Sequence, residues 1–237
     1  MIPSDIFIKG KLEMSSVPVQ EAAGALMWDD LWINRLLVVV AVLICIAGIR
    51  ELFRLLPSLF FAFSRPRASV SMEYNTSLVR IRNAAALVSV LPFSLLADRF
   101  GLFRPAFWSG IPPQWSAAAT IGVVLSYLVL RTICSAAIRL PRMDPLAEAA
   151  VHRGPWSWFI LLTLTMLSTA GLLSVAGATD NVMRIVLYAE IGLFYMLSLL
   201  RSGQIFAGAF SGLTTILYLC GLELLPTAIL AACAIFL

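Results

Sequence analysis

Two carboxylates and one guanidinium stand inside the apolar runs of this chain: Glu190, Glu223 and Arg131. Glu223 falls in LYLCGLELLP, residues 217 to 226, with apolar or small residues on both sides. A charge at the centre of a bilayer costs at least about 2.5–3.5 kcal/mol on insertion scales, so each such group must be neutralised, paired or reached by water. Three kinds of chemistry fit these residues. An acid can carry a proton or couple to an ion, it can join helices through an arginine or a hydroxyl, or it can meet a partner protein within the membrane. Joining helices is the commonplace role. Tyr188, Tyr195 and Tyr218 can add hydroxyls, and the first two are seven apart and share a helix face. Glu190, Glu223, Arg131, Tyr188 and Tyr218 therefore form the expected intramembrane polar cluster, with both acids at similar depth on neighbouring helices. The long Arg131 side chain can pair with one of them or snorkel to the interface.

Pro226 follows Glu223 by three residues. It lacks a backbone donor and frees the carbonyl of Leu222, which a protonated Glu223 can serve. The plainer reading is a kink, common in spanning helices. Gly208 and Gly212 give a GxxxG, and Ala170 and Ser174 a second small-residue pair; both spacings permit close helix approach.

The elements that must position these groups follow from composition. The 237 residues are 60% hydrophobic and 13% charged, with mean hydropathy +0.92. Soluble domains are about 45–50% apolar and about 25% charged. The solvent must be lipid, and the fold class is all-α: a polytopic bundle of about six transmembrane spans. The spans are expected at about 32–49, 78–97, 116–138, 156–176, 182–200 and 205–235. Residues 50–67, cut by Arg54 and Pro57, read as an interfacial segment or a bent extension of the first span. Residues 1–31 form a polar, acidic tail without the pattern of a cleavable signal. The link GATDNV, 177 to 182, makes a hairpin of spans four and five, and RSGQ, 201 to 204, joins five to six. No internal repeat of the kind found in many transporters is evident.

The net charge is +4, with 17 Lys and Arg against 13 acids. The basic residues are not gathered on a soluble face, so no nucleic-acid partner is expected. They fall mainly in the gaps between the hydrophobic runs or in the first turns beside them. The gaps after spans one, three and five hold Arg50, Arg54, Arg65, Arg67, Arg80, Arg82, Arg139, Arg142, Arg153 and Arg201. The opposite side holds Lys9, Lys11, Arg35, Arg99, Arg104 and Arg184. The positive-inside rule puts the richer side in the cytoplasm and both termini outside. Arg80, Arg82, Arg139, Arg142 and Arg153 can also bind anionic lipid headgroups or an acidic partner. Trp28, Trp32, Trp108 and Trp115 would mark the outer interface, and Trp156 and Trp158 the inner one.

Cys45, Cys134, Cys220 and Cys233 lie in or near apolar runs without a CxxC, and read as buried hydrophobes. The sole histidine is His152. No metal, no cofactor and no catalytic set is expected: GxSxG, HExxH and the Walker loop are all missing.

The ending GLTTILYLCGLELLPTAIL resembles the C-terminal signature of an uncharacterised Bacteroidota integral membrane family, domain of unknown function family 4271. The matching positions are Leu217 to Cys220 and Leu222 to Pro226, and FRLLPSLFFAFSRPR is similar to that family's segment after its first helix. The resemblance implies a multi-pass inner-membrane protein without an assigned activity, in which Glu223 belongs to the family motif. It also hints at membrane biogenesis.

The leading expectation is a non-catalytic subunit of a bacterial inner-membrane complex, in protein export or envelope biogenesis. Its partners would be membrane lipids and other integral membrane proteins. One alternative is a proton- or ion-coupled carrier using Glu190 and Glu223; another is an enzyme that modifies lipid headgroups.

Overall fold

The computed structural model describes residues 28–64, 66–105, 108, 110–137, 144–208, 210 and 212–236. Most of the expected tail, and Arg139 and Arg142, lie outside them. Among the described residues every regular element is helical, and six stretches are long and apolar enough to cross a membrane.

The first helix, α1 (Trp32–Ser64), runs unbroken for 33 residues through Arg54 and Pro57. The expected interfacial piece is thus its continuation, at least to Ser64. At 1.5 Å per residue α1 rises about 50 Å, against about 30 Å of hydrocarbon, so it outlasts the oil. A short helix, α2 (Pro66–Glu73), leads to Asn75, whose side chain accepts hydrogen bonds from the Ser77 and Leu78 amides. That cap starts α3 (Thr76–Arg99), the central helix, which packs against α1, α4 and α5. Small side chains let neighbours close on it, and Ala86 is fully buried.

α3 stops at Gly101, whose φ of +60° closes the turn as the Leu102 amide bonds the Ala97 carbonyl at 2.8 Å. A single turn at Pro113–Trp115 opens α4 (Ser116–Ala137). Pro145 at the first helical position begins α5 (Pro145–Val175). Gly177, at φ +70°, makes the hairpin to α6 (Asp180–Ala207): its amide bonds Ser174 and the Ala178 amide bonds Leu173.

The second predicted link is displaced. RSGQ lies inside α6, which continues to Ala207, so the last span begins at Gly212. Burial explains this: Ser202 and Phe206 pack inward, Phe206 against Val151 and Leu222, and the packing outweighs the weak helix preference of Ser and Gly. The last span comprises α7 (Gly212–Leu219), a π-helical segment (Cys220–Leu224) and α8 (Leu225–Phe236).

The interior holds polar groups beside its apolar clusters, and much of the exterior is apolar. Asn34, Glu73, Arg82, Asp98, Thr120 and Glu223 are buried, while Leu36, Val39, Leu43 and Ile46 present one open apolar face of α1. Such a surface suits lipid, where buried polar groups bind each other. Arg50, Arg54, Arg80, Arg82 and Arg153 lie toward one end of the bundle, hereafter the arginine-rich end.

Candidate functional site

The site is built where the last span departs from α-helical geometry. Pro226, itself buried, has no N–H to close the ladder. The preceding amide, Leu225, bonds the Cys220 carbonyl, five residues back. The wider π turn carries Glu223, and π turns inside α-helices often mark functional positions. The Glu223 carbonyl is not left bare. The Thr227 hydroxyl donates to it at 2.9 Å and Tyr195, from α6, at 3.3 Å. The Tyr195 and Thr227 hydroxyl oxygens lie 2.7 Å apart, so one of them can instead turn its hydrogen to the other.

The Glu223 side chain is 5% exposed and faces α4, where Arg131 Nη2 donates to Oε1 at 2.8 Å. Of the options open to a mid-span acid, the structure therefore gives pairing with arginine. Coulomb attraction at this distance in a low-dielectric setting offsets the desolvation of two charges only with good geometry, and removing one partner strands the other. The buried Arg131 Nε has no hydrogen-bond partner.

A cavity of about 420 Å³ opens beside the pair, between α3, α4, α5 and the π segment. Its polar lining includes Arg131, Glu223, Asn83, His152 and Arg153. Its apolar lining includes Leu87, Leu128, Trp156 and Leu222. It extends from the arginine-rich end, where Arg153 is half-exposed, to the level of Glu223.

Arg153 links this cavity to a second ionic cluster. Glu73, at the end of α2, receives Arg82 Nη1 at 2.6 Å and Arg153 Nη1 at 3.2 Å. Arg82 is 2% exposed, and its Nε and Nη2 lack partners. This corrects the expectation that Arg82 meets headgroups: burial against Glu73 takes it out of reach. Arg80 is exposed and remains free to do so, and Arg153 is shared between Glu73 and the cavity.

The other expected cluster members disperse. Glu190 accepts from Thr169 of α5 at 3.1 Å, so the two intramembrane acids engage different helices rather than each other. Tyr188 donates to the Leu102 carbonyl at 2.9 Å, toward the opposite end. Tyr218 stacks on Phe206 at 6.0 Å between centroids. Tyr195, on the same helix as Tyr188, does reach the site. The GxxxG does not pack helices: Gly208 caps α6 and Gly212 starts α7, and a Cβ at Gly212 would meet nothing within 4 Å. Ala170 does lie in a buried α5–α6 contact with Met183 and Leu187, whereas Ser174 is exposed.

A third polar centre, at the end opposite the arginines, was not foreseen. Asp98 is buried and accepts from the Trp28 indole at 2.6 Å, from Thr120 at 3.2 Å and from Ser116. Ser116 and Thr120 are four apart on α4, so one face presents both hydroxyls. That spacing, beside an acid at the end of the preceding span, is the signal that finds it.

No protein-family model, curated protein or solved structure matches this chain.

Proposed function

We propose that the chain is a non-catalytic integral subunit of a bacterial inner-membrane complex, serving protein export or envelope biogenesis, with the arginine-rich end in the cytoplasm. The observation that carries this reading is the Arg131–Glu223 pair. It consumes the mid-span charge of the last helix as an internal tie between α4 and the π segment. Asp98 is likewise enclosed by donors, and Glu73 by two arginines. Among the described residues, the surface left for a protein partner is lateral, chiefly the open apolar face of α1. The likeness of residues 217–226 to the Bacteroidota signature points the same way. Purification from the native membrane in mild detergent tests it. A second integral protein in fixed stoichiometry is expected, and a lone monomer would reject the proposal.

One observation favours a second reading, a proton- or ion-coupled carrier: the cavity reaches Glu223. Glu190 is not among its lining residues, so that reading rests on Glu223 alone. Glu223→Gln should then abolish uptake into proteoliposomes while assembly persists; unchanged uptake would eliminate the carrier.

A further inference from the structure

The cavity at the arginine-rich end is lined by polar and apolar side chains together, and each of the four elements around it supplies both. We infer that it is a binding site for the phosphate-bearing headgroup of an anionic lipid, whose glycerol and first acyl carbons lie against the apolar side chains. The lining holds two guanidiniums, Arg131 and Arg153, and one carboxylate, Glu223. Glu73, which binds Arg153, is not part of the lining, nor is Glu148, which lies 3.7 Å from His152. Glu73 is shared between Arg82 and Arg153, so those two arginines keep one positive charge that their common acid does not balance. Arg131 gives Nη2 to Glu223 and Arg153 gives Nη1 to Glu73, so each fork retains further donors. Asn83, exposed on α3, adds an amide to the same lining.

A guanidinium fork matches phosphate oxygens in shape as well as charge. Basic pockets between spanning helices are a recurrent means of holding anionic headgroups. The apolar lining, with Leu128 and Trp156, excludes a small hydrated ion as the best fit and suits an amphiphile. The volume, about 420 Å³, lies within the range of roughly 300–1,000 Å³ usual for small-molecule sites. The inference is independent of the subunit reading, since a lone monomer would hold the same cavity.

Native mass spectrometry of the whole protein, released from a neutral detergent, tests it with three probes. These are phosphatidylglycerol, phosphatidylcholine of matched chains, and inorganic phosphate. Phosphatidylglycerol should be retained in preference to phosphatidylcholine, at one molecule per chain. Arg153→Gln should lower that retention about fivefold, the factor for one arginine at a headgroup. Asn83 takes part in neither ion pair, and Asn83→Trp, which places an indole in the cavity, should abolish retention while the melting temperature holds. Equal retention of both lipids, or undiminished retention by Asn83→Trp, would overturn the inference. So would retention of inorganic phosphate with no preference between the lipids.

Discussion

Asp98 and Glu223 are both buried acids, each held from α4, and they are held in opposite ways. Asp98 takes neutral donors, an indole and two hydroxyls. Glu223 takes a guanidinium and stands beside a cavity. An acid enclosed by fixed neutral donors ties the ends of α1, α3 and α4 together. An acid balanced by one cation, next to open space, can be disturbed by anything charged that enters that space. The fold thus has a firm end and an adjustable middle.

The largest effect should come from breaking the mid-span ion pair. Arg131→Leu leaves Glu223 buried without a partner and should cost about 3–5 kcal/mol. Arg131→Leu with Glu223→Leu should recover most of the loss, because no charge is stranded. Thermal unfolding of both variants in one detergent decides this, and a double variant as weak as the single would contradict the pairing.

The firm end should give a smaller loss. Asp98→Ala removes the acceptor of the Trp28 indole and of the Ser116 hydroxyl, while Thr120 keeps the Ser116 carbonyl, at about 1–3 kcal/mol for each group left unsatisfied. The change should also loosen the start of α1, detectable as faster hydrogen exchange in its first turns. Uniform exchange along α1 would argue against the tie.

Glu190 sharpens the contrast, being partly exposed and bonded to one hydroxyl. Glu190→Gln keeps an acceptor for Thr169 and should shift stability by less than about 1 kcal/mol. A loss as large as that of Arg131→Leu would restore the idea of a joint acid cluster. Smallest of all, Gly212→Ala should stay within about 0.5 kcal/mol, because a methyl there meets open space. Loss of a co-purifying partner in that variant would show that the glycine faces another chain.

The six spans and the hairpin at Gly177 were legible because hydropathy and a positive-φ glycine are local signals. That Glu223 needs a partner was also legible, from the cost of charge in oil. Which partner was not: both acids were expected together, with Arg131 free to pair with either or to reach the interface, and the π turn aims Glu223 alone at α4. The end of α6 was misplaced because Ser202 and Gly203 look like a link, while the burial of Phe206 extends the helix. Arg82 read as a surface charge because its acid, Glu73, sits on a separate short helix across the Asn75 turn.

Arg131 and Glu223 are separated by 92 residues. At synthesis rates of about 5–20 residues per second, the arginine leaves the ribosome some 5–18 seconds before its acid. Through that interval the third span has a cation and no counter-charge from the sixth. The insertion machinery or surrounding lipid phosphates must shelter it, and the bundle locks only when its final helix arrives.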